Sequence, residues 1–327
     1  MHPTNQPDAR LLEDVLQGDF RSIARLITLV ENELPEASLY LRALYPHTGR
    51  AFTIGITGAP GAGKSTLVDR LAAHYRQLDC TVGIIAVDPT SPFTGGAILG
   101  DRIRMQSRSV DAGTFIRSMA TRGNLGGLSR TSSDVMLVLD AAGFDVVLVE
   151  TVGVGQDEVE IARMAAATLV LLVPGMGDDI QTMKAGIMEI ADAFVINKAD
   201  HHGVERIEAE VHALISITDR TDGWKPPVVR TIASDGVGIQ ACAEAIDRFR
   251  GFVRSSPARR ERQVQIQKER LMEIVRSQVS RDLLRRQPLA QKLAKLAQQV
   301  VDRAVDPYSA ADELLAAAYL RREQLEE

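Results

Sequence analysis

Aromatic residues are scarce in this chain of 327 residues, which contains only 8 Phe, 5 Tyr and 1 Trp. Modules that read single-stranded RNA stack its bases on aromatic side chains, so the shortage argues against such a module. Cysteine is scarce too. Cys80 and Cys242 lie far apart without a C-x-x-C partner, and they support neither a disulfide framework nor a cysteine metal site. We expect both to be plain buried thiols.

Long apolar runs are absent as well. No segment approaches the roughly 18 consecutive apolar residues of a membrane-spanning helix. The N-terminal residues 1–15 lack the basic start and apolar run of a secretory signal, and they are too acidic for a transit peptide. These absences predict a cytoplasmic protein with no membrane partner.

Charge is unevenly distributed along the chain. The net charge is −5, yet residues 250–295 contain 13 Lys/Arg against 4 Asp/Glu. A basic stretch can bind nucleic acid, but this one lacks interleaved aromatic residues. It instead has an apolar residue at every fourth position, namely Leu271, Val275, Val279 and Leu283. We interpret it as a helical arm that docks against another subunit or an acidic partner, and we expect no nucleic-acid partner.

What the chain does contain is a series of strand-length runs rich in Val and Ile, separated mostly by helix-length periodic stretches. Two segments, 146–149 and 169–173, are continuously apolar, which is typical of strands buried on both faces of a parallel sheet. The seven runs are Phe52–Thr57, Val82–Val87, Thr114–Ser118, Asp145–Glu150, Leu169–Val173, Ala193–Asn197 and Val228–Ala233. They predict an α/β fold with a doubly wound, mainly parallel sheet.

Helical patterns flank this sheet on both sides. Apolar residues recur at helical spacing within 8–45, and Pro288 marks a break between two C-terminal helices. Ser309 and Asp312 have the spacing of an N-cap and a first-turn acid, which predicts a further helix. The predicted organisation is a helical N-terminal extension at 1–47, an α/β core at 48–254 and a C-terminal helical arm at 255–327.

The strongest functional signal is a glycine-rich loop between the first strand and a helix. It is formed by Gly58, Ala59, Pro60, Gly61, Ala62, Gly63, Lys64, Ser65 and Thr66. In a strand, loop and helix context this pattern predicts a P-loop, in which glycines let backbone N–H groups converge on phosphates. Lys64 would reach the terminal phosphates, and the Ser65 hydroxyl would ligate Mg²⁺.

A second signal predicts which base the site accepts. Asn197, Lys198 and Asp200 follow a strand and match the N-K-x-D element of GTPases, whose Asp accepts two hydrogen bonds from guanine. Adenine lacks that pair of donors and would leave the carboxylate unpaired, which favours GTP over ATP. In GTPases a short loop after the next strand covers the edge of the guanine. Ala233, Ser234 and Asp235 stand at the corresponding position of this sequence.

Acidic residues at strand ends predict a magnesium site. Asp88 and Glu150 each follow an apolar run, where a carboxylate can hold Mg²⁺ between the β- and γ-phosphates. Asp101 joins them if the segment before it closes over the nucleotide, and is otherwise the first-turn acid of a helix. Glu150 also opens a segment that resembles the D-x-x-G switch element with Glu replacing Asp, in which Gly153 would offer its N–H to the γ-phosphate.

The groups that would drive hydrolysis match common GTPases less well. Those proteins carry a water-orienting Gln directly after the switch glycine, whereas Val154 stands there in this chain and Gln156 comes two residues later. We therefore predict slow intrinsic hydrolysis that a partner accelerates. The loop at 175–184 offers Asp179 and Lys184 as members of a further switch, or it is an ordinary helix start.

Six motifs occur in order, within a similarity that spans about 30–325 and includes the helical ends. They are GITGAPGAGKSTLVDRL, VDPTSPFTGGAILGDRIRM, TRGNLGGLS, ETVGVGQDEVEIA, PGMGDDIQTMKAGIMEIAD and NKAD. Together they resemble the methylmalonyl-CoA mutase-associated GTPases, formerly labelled LAO/AO transport ATPases or ArgK-like kinases. The resemblance implies a homodimeric G protein of the class that includes signal-recognition-particle and nickel-chaperone GTPases. It also implies a chaperone that gates adenosylcobalamin delivery to a cobalamin-dependent acyl-CoA mutase and protects that enzyme.

Carried onto this sequence, the resemblance makes 48–254 a P-loop GTPase core and 255–327 a dimerisation arm. GTP or GDP would bind to the P-loop, to Gly153 and to the two base elements. The resemblance implies that Mg²⁺ is bound by Ser65, Asp88, Asp101 and Glu150. The implied catalytic set is Lys64, Glu150, Asp101, Lys184 and Asp179.

Three other functions stay open at this point. A metal-delivery GTPase of the nickel-chaperone type usually carries a cysteine or histidine cluster, which this sequence lacks. A P-loop kinase or transport ATPase would use ATP, which the N-K-x-D element disfavours. A nucleotide-dependent scaffold would bind GTP without meaningful turnover.

Overall fold

The computed structural model describes residues 6–88, 111–120, 129–151, 164–175, 190–218, 220–285 and 287–323. Seven strands in these ranges form one sheet with the order β3-β2-β4-β1-β5-β6-β7, and every neighbouring pair is parallel. They are β1 (Phe52–Gly58), β2 (Val82–Asp88), β3 (Thr114–Ala120), β4 (Val146–Glu150), β5 (Ala167–Leu172), β6 (Ala193–Ile196) and β7 (Val228–Arg230). Each predicted run forms a strand.

Ten α-helices lie in the described ranges. They are α1 (Ala9–Leu16), α2 (Phe20–Glu31), α3 (Ala37–Leu44), α4 (Lys64–Gln77), α5 (Ser129–Ala141), α6 (Val204–Ile217), α7 (Ile239–Ser255), α8 (Pro257–Arg285), α9 (Gln287–Val301) and α10 (Pro307–Glu323). Short 3₁₀ turns occur at Tyr45–His47 and Ala233–Asp235.

Both faces of the sheet are buried, which explains the continuous apolar runs. Successive side chains of a strand point to opposite faces. In β4, Val146 and Leu148 accordingly pack into the core cluster that contains α4 and α7 residues, while Val147 and Val149 pack into the cluster on the other face with α1, α2, α3 and α5. The predicted doubly wound α/β architecture with helical extensions is confirmed.

The N-terminal helices begin where short acidic side chains can cap them. Asp8 accepts a hydrogen bond from the Arg10 N–H at 3.0 Å, and Asp19 accepts one from the Ser22 N–H at 2.8 Å. Such caps satisfy backbone donors that have no partner within the helix. The apolar residues of these helices then face the sheet as part of its core.

The chain divides into two compact units, Met1–Arg259 and Arg260–Glu327. Pro288 lies in the first turn of α9, as predicted. The prediction that Ser309 caps the last helix is wrong. α10 begins at Pro307, and the Asp306 carboxylate accepts hydrogen bonds from the N–H groups of Tyr308 (2.9 Å) and Ser309 (3.0 Å). Proline needs no backbone donor in the first turn, so Asp306 and Pro307 together start the helix three residues earlier.

A buried charge cluster holds the first turn of α8 to the sheet. Arg259 pairs with Asp192 at 2.6 Å and with Asp222 at 2.8 Å, and Arg220 pairs with the same two carboxylates at 3.2 and 2.9 Å. Burial alone would raise the pKa of Asp222, but hydrogen bonds from Arg220 and the Trp224 backbone lower it to about 2. Asp222 is therefore ionised at neutral pH. Burial raises the pKa of Asp192, although Arg259 and Arg220 both act to lower it.

The sequence also predicts the absence of membrane-spanning helices and the burial of both cysteines. None of the described helices is long and apolar enough to cross a membrane. Cys242 is buried in the core as expected, and burial raises the pKa of its thiol to about 12. The expectation for Cys80 is wrong, since this residue follows the end of α4 and is only partly buried.

Candidate functional site

The predicted nucleotide elements that the structure describes follow strands of one parallel sheet, and they meet at the edge where the carboxyl ends of these strands lie. The P-loop follows β1, Glu150 ends the neighbouring β4, and Asn197 follows β6. The next strand, β7, leads into the turn at Ala233–Asp235. Open α/β sheets bind ligands at this edge, so the sheet order places phosphate and base elements side by side.

The P-loop backbone requires its glycines at two points of close approach. Gly58 has φ +143°, and a Cβ added there would lie 2.4 Å from the Leu171 carbonyl oxygen. Gly63 has φ +90°, and its Cβ would lie 2.4 Å from Nδ2 of Asn197. Side chains disfavour both conformations, and real Cβ atoms do not tolerate such distances. The glycine spacing in the sequence thus reflects the packing of the loop against β5 and β6.

Lys64 is buried inside the P-loop. The side chain is only 6% exposed. Its ammonium donates hydrogen bonds to the carbonyl oxygens of Gly58 at 2.8 Å and Ala59 at 3.1 Å. α4 begins at this residue, and the preceding Gly63 supplies no side-chain cap. A fixed cation beside a helix N-terminus favours the binding of an anion such as a phosphate group.

Ser65 and Glu150 are brought into direct contact. The Ser65 hydroxyl donates a 2.6 Å hydrogen bond to Oε1 of Glu150, which is 5% exposed. Glu150 pairs with Ile56 in β1 and with Ala86 in β2, so it lies between the P-loop strand and the strand that ends at Asp88. A hydroxyl and a carboxylate are the oxygen ligands that Mg²⁺ prefers, so this pair fits a magnesium ion.

The other predicted metal and switch residues are described incompletely. The backbone of Asp88 is the last position of β2, but its side chain is not among those described. Four further residues lie outside the described ranges, namely Asp101, Gly153, Asp179 and Lys184. Gln156, named as a possible water-orienting residue, also lies outside them.

Asn197 joins the P-loop to the turn after β7. Its side chain is 3% exposed, and its Nδ2 donates to the Ala62 carbonyl oxygen at 2.8 Å. Its Oδ1 accepts hydrogen bonds from the Thr231 hydroxyl at 3.1 Å and the Ala233 N–H at 3.0 Å. The sequence associated this residue with guanine alone. The structure adds a bracing role that no local pattern indicates, because its partners lie far away in sequence.

The two following residues are more accessible. Lys198 has φ +56°, a left-handed conformation that costs energy in a residue with a Cβ and persists only where the surroundings impose it. Here the Ala199 N–H donates to the Thr231 carbonyl and the His201 N–H donates to the Lys198 carbonyl, at 3.0 and 2.9 Å. Asp200 is 53% exposed at the side chain. Its carboxylate is therefore open to a ligand.

Arg70 is a site residue that sequence reasoning missed. From α4 its Nε donates to the Ala233 carbonyl oxygen at 3.0 Å, and its Nη2 donates to the Ser234 carbonyl oxygen. It lies one and a half turns after Lys64, outside the P-loop pattern. A lone arginine in an amphipathic helix carries no local signal, because its partners come from a loop more than 160 residues away.

The close approach of Gly63 to Asn197 makes a testable prediction. We expect Gly63→Ala to lower the free energy of unfolding by about 1–3 kcal/mol and to weaken GTP binding about tenfold or more. Asn197 cannot swing away from the new methyl group without losing its hydrogen bonds. Chemical denaturation and equilibrium nucleotide titration measure the two effects.

Gly203→Ala is the matched control. Gly203 also precedes a helix in a left-handed conformation, with φ +95°, but a Cβ there meets no atom within 4 Å. It should show only the backbone strain, about 1 kcal/mol, and unchanged GTP affinity. Equal effects of the two substitutions would contradict the role assigned to the Gly63–Asn197 contact.

Comparison with known proteins agrees with this geometry. The sequence model of the family described as "Methylmalonyl Co-A mutase-associated GTPase MeaB" matches residues 23–288. A solved structure of an LAO/AO transport system kinase superposes with a TM-score of 0.69 at 28% identity, over 95% of this chain and 97% of that one.

Two relatives extend the likeness over nearly the whole chain. A Pyrococcus abyssi protein is 48% identical over 311 residues, which cover 93% of this chain and 95% of that protein. Its name calls it a GTPase and mentions no partner protein. A Mus musculus protein named methylmalonic aciduria type A homolog, mitochondrial, is 33% identical over 327 residues, which cover 94% of this chain and 79% of that protein. The chain is therefore a member of the methylmalonyl-CoA mutase-associated GTPase family, and guanine nucleotides are its ligands.

Proposed function

We propose that this GTPase gates adenosylcobalamin delivery to a cobalamin-dependent acyl-CoA mutase of the methylmalonyl-CoA mutase type, and protects that mutase. The proposed nucleotide site is supported chiefly by the hydrogen bonds of the Asn197 side chain to both Ala62 and Ala233. A change in the phosphate loop is transmitted through this buried amide to the base loop. The family description and the name of the mouse relative support the mutase as partner.

The phosphates of GTP bind to the backbone N–H groups of Gly58 through Thr66, with Lys64 on the β- and γ-phosphates. Lys64 now donates to two loop carbonyls, which are weaker partners than phosphate oxygens. On nucleotide binding its ammonium moves from the carbonyls to the phosphates. Desolvation inside the loop strengthens that attraction, because the side chain is already shielded from water.

A magnesium ion would be held by Ser65 and Glu150, together with Asp88 and Asp101. When bound, Mg²⁺ neutralises charge that develops on the β- and γ-phosphates. The hydrogen bond between Ser65 and Glu150 keeps the two oxygens at one place before any ion arrives. Gly153 offers its N–H to the γ-phosphate from the segment that follows Glu150.

The base is selected by Asp200, which accepts hydrogen bonds from N1–H and the exocyclic amine of guanine. Its exposed carboxylate follows the strained Lys198, whose backbone conformation directs the chain after β6. Lys198 covers the base, and the turn formed by Ala233, Ser234 and Asp235 covers its edge. ATP offers no matching donors, so its binding leaves the carboxylate unpaired.

Hydrolysis by the chain alone is slow, and the mutase accelerates it. No water-orienting Gln directly follows Gly153 in the sequence, where Val154 stands. Lys184 and Asp179, which follow β5 in the sequence, are proposed to act as charged members of the switch that contacts the mutase. The GTP and GDP forms must bind the mutase differently, because a ligand shifts an equilibrium only by its differential affinity.

The chain forms a homodimer through α8. Its apolar stripe is predicted by sequence, and in the single chain Leu271 is 60%, Val275 50% and Val279 49% exposed. Leu283 continues the stripe within α8, but its side chain is not described. A row of half-exposed apolar residues along one helix is typical of a surface that another helix covers.

Removing the Asp200 carboxylate tests the base assignment. We expect Asp200→Ala to lower GTP affinity about 100-fold and to reduce the GTP-to-ATP preference by a similar factor, because two hydrogen bonds to a charged acceptor are lost. Asp247→Ala, which removes an exposed carboxylate of α7 outside both base elements, is the control and should keep the preference. Unchanged preference in Asp200→Ala would show that this residue does not read the base.

The mutase assignment is tested by the GTPase rate. The purified chain is mixed with mutases of the methylmalonyl, ethylmalonyl and isobutyryl types, and phosphate release is measured. We expect the client to raise the rate about tenfold or more, which corresponds to about 1.4 kcal/mol of transition-state stabilisation. Lys64→Ala controls for contaminating hydrolases. No acceleration by any of these mutases would remove the chaperone proposal and leave the nucleotide site in place.

The dimer is tested by sedimentation equilibrium. We expect Val275→Glu to weaken association about 100-fold, because a carboxylate is costly to bury in an apolar interface. Ser280→Glu adds the same charge on roughly the opposite side of α8 and should leave the dimer intact. Indistinguishable association of the two variants would rule out the stripe as the interface.

A further inference from the structure

The guanidinium of Arg70 contacts two carbonyl groups of the turn Ala233–Asp235. Arg70 Nε donates to the Ala233 carbonyl oxygen at 3.0 Å, and its Nη2 donates to the Ser234 carbonyl oxygen. The planar fork of arginine can reach two acceptors at once, which a lysine ammonium on a flexible stem does less well. Bonds from a charged donor are also stronger than neutral ones. The orientation of this turn is therefore set by α4, the helix that begins at the P-loop.

Two of the three N–H groups of the same turn are engaged as well. Ala233 N–H donates to Oδ1 of Asn197, and Asp235 N–H donates to the Ile232 carbonyl oxygen, both at 3.0 Å. Within the described part of the chain, no acceptor is bonded to the N–H of Ser234. The turn thus presents one backbone donor while both of its neighbouring carbonyl acceptors are occupied.

Guanine and adenine differ in whether the group at position 6 accepts or donates a hydrogen bond. Guanine carries an acceptor there, O6, whereas adenine carries a donor, the amino group. A backbone N–H facing this position favours guanine, and a free carbonyl would favour adenine. We propose that Arg70 is a positioning residue for base selection, which holds both carbonyls away so that the Ser234 N–H meets O6. This inference rests on the guanine site proposed above.

The test compares three nucleotides on Arg70→Met by competition against a fluorescent GDP. GTP and ITP both carry O6, whereas ATP carries the amino group. We expect equal losses of affinity for GTP and ITP, little change for ATP, and a fall of about tenfold in the GTP-to-ATP preference. Arg70→Lys keeps the charge and a donor nitrogen but loses the planar fork, and we expect it to retain part of the preference.

Arg76→Met is the matched control. Arg76 lies on the same helix and also donates to a carbonyl, that of Cys80 at 2.8 Å, but it pairs with Asp111 instead of the turn. Its substitution removes the same charge from α4, and the preference should stay at the wild-type value. Melting temperatures of all variants establish that the comparison is made on folded protein.

Two outcomes would overturn the inference. Equal losses for GTP and ATP in Arg70→Met would show a general structural role, since every nucleotide would then be affected alike. An unchanged preference would show that the turn keeps its orientation without Arg70. Asp200→Ala should abolish the preference for GTP over ITP, and this variant separates the two proposals. If Asp200→Ala abolishes that preference while Arg70→Met has no effect, only the Arg70 inference fails. If Asp200→Ala leaves that preference unchanged, the proposed guanine site itself is wrong.

Discussion

The buried amide of Asn197 bonds at once to the P-loop and to the turn that follows β7, and the geometry of the nucleotide site depends on it. Both loops are held at fixed positions relative to one another by a side chain that is out of contact with water. Leaving a buried polar group unsatisfied costs about 1–3 kcal/mol, so the amide resists displacement. The requirement for glycine at position 63 follows directly, because any side chain there would occupy the space of Asn197.

The parallel sheet is what allows one side chain to connect such distant segments. Because every neighbouring pair of strands is parallel, the carboxyl ends of β1, β4 and β6 lie on one edge. Ser65 and Glu150 meet there across 85 positions of sequence, and Arg70 meets the Ala233 turn across more than 160. α4 contributes to both, since it begins in the P-loop and continues to the base elements. The proposed phosphate loop and the proposed base loop are therefore both in contact with one helix.

Several elements were predictable because their signals are local. The strands β4 and β5 were recognisable from continuous apolar runs, and the P-loop from its glycine spacing between a strand and a helix. Other features escaped prediction. The sequence predicts Ser309 as the N-cap of α10, and Asp306 satisfies the same N-cap preference equally well. The position of Pro307 in the first turn decides between the two residues. Cys80 resembled a buried thiol by composition, yet the end of α4 leaves it partly exposed.

Sequence by itself predicted the chemistry of this protein. A phosphate loop, a guanine element, acidic strand ends and a basic arm with an apolar stripe each correspond to a short pattern with local backbone requirements. Tertiary structure alone decided which of these groups touch. The contact between Ser65 and Glu150, the bracing role of Asn197 and the hold of Arg70 on the base loop depend on sheet order and on hydrogen bonds between segments far apart in the chain. The physical reason is that periodicity and spacing report the conformation of neighbouring residues, whereas a hydrogen bond across the sheet edge exists only after the strands have packed.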